Sequence, residues 1–317
     1  MTIFDYIHKF VALSPRFALG EVQTAEFIKK HLDDIKIEYT DHEFPTSVPY
    51  AKEVFLEADG ERIDCRNVGM ESGEFVNKDN LISSVYWSDT DFYLPPNINF
   101  NPRCKDTVSM ALYYKHAAIA VRRSDVNKIL MANKIYGKTI VEPYEFTGHN
   151  YLIGNTKNPK NIIFTHYDCW ENGAIDNASG TAVTLHTAIN HPELLQDSLF
   201  VIGANEEISY DEPIYWGKGY RAFQNDYKSL LDNAKNILVV DCVGYSEHEW
   251  ATDPEHVVLG IPFKDFDNYA GKTRMLCGDF DMLMNVYHSN DDTVSLLSED
   301  KLNDAQKQLI AFLQQTI

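Results

Sequence analysis

Apolar residues recur at helical spacing at the start of the chain. Ile3, Tyr6, Ile7, Phe10 and Val11 form one set, and Val22, Ala25, Ile28 and Leu32, after Gly20, form a second. Each set lines one stripe of a helix. "KIEYTDHEF" then reads as a strand, and "EVFLEADGERIDC" as a hairpin turning at Asp59–Gly60. An Asp-Gly pair accepts the positive φ values that a two-residue hairpin turn requires. From about Phe44 to Glu145 the chain is strand-rich and interrupted by prolines. "LISSVYW" and "AAIAVRR" read as buried strands, and "SDTDFYLPPNINFNPRC" as a loop.

After "GHNYLIGNTKNPK" the pattern changes again. "NIIFT", "SLFVIGA" and "NILVVD" are short continuous apolar runs with helical segments between them. Strands buried on both faces have this appearance, which predicts an α/β layer. The helices expected around it are "GTAVTLHTAINH", "YWGKGYRAFQND" and the amphipathic C-terminal "KLNDAQKQLIAFLQQTI". The shift in composition divides the chain into a main domain of residues 1–44 and 146–317 and an inserted strand-rich module of residues 45–145.

Composition narrows the function. Of 317 residues, 44% are hydrophobic, enough for a sizeable core. The net charge of −19 argues against nucleic acid and anionic membrane as partners. No stretch of roughly 18 apolar residues predicts a membrane span. The five cysteines form no CxxC pair, and the start of the chain lacks the pattern of a signal peptide, so a reducing, cytoplasmic setting is expected. Two short matches carry nothing: "GKGYRAF" lacks the third glycine and the preceding strand of a dinucleotide loop, and His248 has no second histidine at helical spacing.

The candidate chemistry sits at the ends of the apolar runs. "NIIFT" runs into His166 and Asp168, with Asp176 close behind. "SLFVIGAN" ends in Glu206 and Glu207, "NILVV" ends in Asp241, and "NVYHSNDDT" supplies Tyr287 and His288. Taken singly, His166 is an ordinary strand-end histidine, the Glu pair a solvated turn and Asp241 an N-cap. Taken together at successive strand ends, they form a cluster of carboxylates that would repel one another without cations. Imidazole and carboxylate ligands suit zinc, with cobalt or manganese as substitutes. The acidic excess over one tetrahedral shell suggests two ions bridged by a carboxylate.

The ordered pieces "HYD", "GAIDNASGTA", "NEE", "VVDCVG" and "YHSNDDT" resemble the di-zinc aminopeptidases of metallopeptidase clan MH, the leucyl-aminopeptidase type that also includes the glutaminyl cyclases. "LSPRFALGEVQTAEFIKKHL" is similar to that family's N-terminal helices. The resemblance implies a central mixed, mostly parallel β-sheet flanked by helices. It also implies that residues 45–145 form a lid or protease-associated-like insertion. Two zinc ions would be held by His166, Asp176, Glu207, Asp241 and His288, with Asp176 bridging. Asp168 would orient His166, Glu206 would be the general base, and Tyr287 would polarise the scissile carbonyl. The same resemblance implies a cis peptide bond between Asp176 and Asn177.

The implied activity is zinc-dependent removal of the N-terminal residue from a peptide substrate with a free N-terminus, by a metal-activated water. A glutaminyl cyclase with one zinc and a non-catalytic binding protein are the alternatives. The family's Gly-rich turn follows the Glu pair closely, whereas here "ISYDEPIYW" intervenes before "GKGYRAF", which leaves specificity open. Cys169 and Cys242 flank these positions and read as packing residues. Oligomeric state is not legible in the sequence.

Overall fold

The computed structural model describes residues 1–78, 80–84, 91–212 and 214–315. The chain divides into two compact units. One comprises Met1–Thr46, Phe146–Phe280 and Thr293–Ile317, and the other Ser47–Glu145 and Asp281–Asp292. The divide falls within two long strands, Thr40–Ala58 and Ile135–Gly154.

In the first unit the three apolar runs are adjacent strands of one mixed sheet. Its order is Glu249–Ala251, Thr273–Cys277, Asn236–Val240, Asn161–His166, Ser198–Gly203, Ile135–Gly154 and Thr40–Ala58. The middle four strands are parallel. The neighbours that flank them, Glu249–Ala251 and Ile135–Gly154, run antiparallel. Two of these strands escape the hydrophobic pattern. Thr273–Cys277 carries an arginine inside a run of only five residues, and Glu249–Ala251 has only three.

Successive side chains of a strand point to opposite faces, and that alternation splits the core in two. Ile163, Phe200, Ile202, Leu238 and Val240 pack with the helices Ile3–Val11, Leu19–Asp34, Gly180–Asn190 and Glu299–Gln315. Ile162, Phe164, Leu199, Val201, Ile237 and Val239 pack against Tyr220, Phe223, Leu231, Val257 and Phe263. Both faces are therefore covered, which explains the uninterrupted apolar runs. The first helix is fixed by a capping box, with Thr2 and Asp5 bonding each other's backbone N–H at 3.1 and 2.8 Å. Among the described residues no helix is long and apolar enough to cross a membrane.

In the second unit the Asp-Gly hairpin forms with Ala58 opposite Glu61, and Asp59 and Gly60 take φ of 49° and 84°. The Asp59 carboxylate also accepts the backbone N–H groups of Asn133 and Lys134 at 3.0 and 2.9 Å. A four-stranded sheet follows the order Cys65–Asn67, Ala118–Val121, Asn97–Phe100, Leu81–Ser83. The Asn97–Phe100 strand corrects the loop expected there. Two asparagines obscured it, because the residue type disfavours strands. Their buried amide N–H groups find local acceptors, Asn99 Nδ2 donating to Asn97 Oδ1 at 3.0 Å and Asn97 Nδ2 to the Pro95 carbonyl at 3.2 Å. "LISSVYW" is a strand over Leu81–Ser83, and its last three residues lie outside those described, as do the first three of "SDTDFYLPPNINFNPRC".

Phe164 is fully buried, with Tyr220, Phe223 and Phe263 edge-on to its ring at 5.3, 5.2 and 5.6 Å between centroids. Phe164→Ala removes all three contacts and leaves a cavity. The expected cost is about 3–5 kcal/mol, read as a lower urea midpoint with an unchanged slope.

Candidate metal centre

The parallel register brings three strand ends together. His166 lies opposite Gly203, and Val239 opposite Phe164, so the residues that follow Gly203 and Val240 leave the sheet beside His166. Open α/β sheets collect functional groups at this edge. His166 Nε2 sits 3.5 Å from Asp176 Oδ1 and 3.5 Å from Asp241 Oδ1. One donor atom each from His166, Asp176 and Glu207 lies within 4.8 Å of the others, and the same holds for Asp176, Asp241 and Cys242. Asp176 is the member common to both groups.

Asp176 is presented by a tight turn, Ala174–Ser179, that leads into the Gly180–Asn190 helix. The Asp176–Asn177 peptide is cis, as the resemblance implies. The Asn177 side chain ties this turn to the strands on either side. Its Nδ2 donates to Thr165 Oγ1 and to the Val240 carbonyl, both at 3.2 Å. Its Oδ1 accepts the N–H of Gly180 at 3.0 Å and of Cys242 at 3.2 Å. Gly180 has to lack a side chain, since a Cβ there would collide with Asn177 Oδ1 and the Val240 carbonyl.

Asp168 is buried behind His166. Its Oδ1 faces His166 Nδ1 at 3.4 Å, and its two oxygens accept the backbone N–H groups of Glu206 at 3.0 Å and Glu207 at 2.9 Å. One carboxylate thus aligns the imidazole and the Glu206–Glu207 pair together. The loop that carries Asp168 is strapped by fully buried Arg16, which donates to the carbonyls of Tyr167 and Gly173 at 2.5 and 2.8 Å. Asn205, at a left-handed φ of 51°, sets the turn before Glu206, with its Nδ2 on the Ile208 carbonyl at 2.7 Å and its Oδ1 accepting the Thr46 hydroxyl. Beyond Glu207, the segment that departs from the family is organised by Arg221. This buried guanidinium holds Asp211 at 3.1 Å and the Ile214 carbonyl at 2.9 Å.

The electrostatics are those of crowded acids. Burial pushes the Glu206 carboxyl well above the usual range, and Glu207, Asp168 and Asp241 push it the same way against the opposing His166. Burial works to lower the His166 imidazole, but Asp241, Asp168 and Glu206 outweigh it and hold it well above its ordinary value. A second acidic grouping, Asp41, Glu43 and His149, is of a different kind. There Asp41 is already engaged by Lys29 and by His149 Nδ1, each at 2.8 Å.

His166, Asp168, Asp176, Glu206, Glu207 and Asp241 thus all belong to the first unit and are gathered at one edge of its sheet. Tyr287 and His288 belong to the second unit. There His288 Nδ1 donates to the Met110 carbonyl at 3.1 Å, which leaves Nε2 as the basic nitrogen. Its ring stacks on Tyr287 with centroids 3.6 Å apart, and Ser109 Oγ donates to the Tyr287 carbonyl at 2.6 Å.

Sequence reasoning missed Glu21. It is 1% exposed in the first turn of the Leu19–Asp34 helix. The signal was present: Glu21, Ala25, Ile28 and Leu32 share one helical stripe, and that stripe is buried, whereas Val22 is only partly so. Burial first, and then Asp168, raise the Glu21 carboxyl well above its ordinary value, with the Asn205 backbone opposing.

No protein-family model matches the chain, and no curated protein matches it. Solved structures do. A zinc aminopeptidase from Bacillus subtilis superposes with a TM-score of 0.67 at 15% identity, over 96% of this chain and 91% of that one. An M28 peptidase precursor from Shewanella amazonensis SB2B gives 0.65 at 13% identity, over 98% and 92%. A glutaminyl cyclase from Fimbriiglobus ruber gives 0.53 at 13% identity, over 98% and 93%. The chain shares the fold of the zinc aminopeptidases and glutaminyl cyclases.

A carboxyl whose folded pKa is raised stabilises the fold below its unfolded value and loses that contribution as pH rises toward the folded one. Metal-free protein is therefore expected to lose stability relative to Glu21→Gln, which keeps the shape without the ionisable proton, as pH rises above the ordinary carboxyl range. Urea midpoints of the two proteins across that rise give the sign. A wild-type midpoint that rises relative to the variant would place an ionised Glu21 in the fold.

Proposed function

We propose that the chain is a zinc-dependent aminopeptidase acting on peptides with a free N-terminus. The carrying observation is the pair of 3.5 Å separations from His166 Nε2 to Asp176 Oδ1 and to Asp241 Oδ1. They are long for hydrogen bonds. Two donors each about 2.0–2.1 Å from a tetrahedral ion lie roughly 3.3–3.4 Å apart, so the spacing matches the edges of a ligand shell. The donors also fit zinc chemically: one imidazole, and carboxylates shared between two groups through Asp176.

His166, Asp176, Glu207 and Asp241, with His288 added on the resemblance, would hold two ions, Asp176 bridging them. Zinc bound there supplies Lewis acidity, lowering the pKa of water and polarising a carbonyl. With an ion bound, Asp168 would keep the proton on His166 Nδ1 and leave the Nε2 lone pair for the ion. Glu206 takes the proton of the attacking water and returns it to the leaving amine. The Tyr287 hydroxyl is assigned, by resemblance, to hydrogen-bond the carbonyl oxygen as it gains charge. The acidic balance of −19 favours a substrate that presents an ammonium group. The five buried cysteines, none in a disulfide, support a reducing compartment such as the cytoplasm.

Glutaminyl cyclase activity is the second reading, favoured by the shared fold of the Fimbriiglobus ruber enzyme. A panel of aminoacyl arylamides and an N-terminal glutaminyl peptide, assayed with and without chelator, separates the two. Chelator-sensitive release of arylamine is the expected result. Pyroglutamyl product alone would replace the aminopeptidase reading, and no turnover on either substrate would remove both.

Glu206→Gln is expected to retain bound metal, measured by elemental analysis, while losing about 10²–10⁴-fold in kcat. Near-normal turnover would show that Glu206 is not the base.

A further inference from the structure

We infer that Cys242 is a sulfur donor of the metal centre. This rests on the metal reading above and extends it to a residue outside the ligand set the resemblance implies. Two contacts converge on one atom. Asp241 Oδ1 lies 3.5 Å from His166 Nε2 and accepts the Cys242 thiol at 3.3 Å, so imidazole and sulfur flank the same carboxylate oxygen. Asp176, the member common to both donor groups, completes the second one with Asp241 and Cys242.

The backbone holds Cys242 in place. Cys242 has a φ of 52°, a left-handed conformation that glycine or asparagine adopts far more readily than cysteine. The residue is held there from both sides, its N–H on Asn177 Oδ1 at 3.2 Å and its carbonyl accepting the Gly278 N–H at 2.9 Å. Cys65 and Cys277, by contrast, lie within apolar clusters. Cys169 is packed beside Ser14, with 3.7 Å between Sγ and Oγ.

In the proposed centre the thiol proton passes to solvent as the sulfur–metal bond forms, and the ion gains a soft ligand beside its hard carboxylates. Sulfur ligation favours zinc over magnesium or manganese. The ion beside Asp241 would then be the more zinc-selective of the two.

The test uses the full chain, stripped of metal and titrated with cobalt(II). Wild-type protein is expected to show a sulfur-to-cobalt charge-transfer band in the near ultraviolet. Cys242→Ser should lose it, while Cys169→Ser and Cys277→Ser keep it. X-ray absorption on zinc-loaded wild-type protein needs no variant and should show a sulfur shell at about 2.3 Å. Ion bound without a charge-transfer band or sulfur shell, or a band that survives Cys242→Ser, overturns the role of Cys242 and leaves the metal reading standing. Elemental analysis that finds no bound ion removes both.

Discussion

The site depends on a single side-chain amide. Asn177 uses both ends of its carboxamide, donating to Thr165 Oγ1 and the Val240 carbonyl and accepting from Gly180 and Cys242. An amide can make few more bonds than these. Through them it fixes the residue before His166, the residues on both sides of Asp241 and the first turn of the helix that follows Asp176. Three carboxylate- or imidazole-bearing backbones are therefore positioned by one buried group. That group is polar but uncharged, so it organises acids without adding to their repulsion. Asp168 plays the matching part on the other side, where two backbone N–H groups satisfy its oxygens and anchor Glu206 and Glu207.

This arrangement separates holding from reacting. Sheet and helices supply rigid anchor points, and the chemistry-bearing side chains occupy only the first residues beyond them. Rigidity of that kind keeps donor atoms close to a fixed geometry, which both metal binding and proton transfer require. The segment after Glu207 follows a separate plan. Its ion pair between Arg221 and Asp211 is buried on the arginine side, where the guanidinium is 5% exposed, so it is tied to the body of the unit more firmly than a solvated loop would be.

Much of this was legible in the residues. The three apolar runs named the three central strands because strands covered on both faces leave no polar alternation. Their ends named His166, Asp168, Glu206, Glu207 and Asp241 because a turn needs none of these side chains. Asn97–Phe100 was missed because two of its three buried positions are asparagines that bond each other and the local backbone, a pairing that no hydrophobic pattern can register. Glu21 was missed because an acid on an apolar stripe is ordinarily taken as the stripe's edge. Asn177 entered the sequence reading only as the partner of Asp176 in a cis peptide bond. Its four bonds join segments far apart in the chain, and a sequence carries no mark of such closures.

Residues 166, 176, 207 and 241 reach the site from four separate points of the chain, each placed by strand register and docked helices. In an unfolded chain those donors are scattered, so an ion that binds them recognises only the native arrangement. Binding and folding are then one linked equilibrium. An ion at a thousand times its Kd would add about 4 kcal/mol to a fold whose typical total stability is about 5–15 kcal/mol. Where the site takes an ion, the free-ion concentration around the protein would help to set its lifetime against proteolysis.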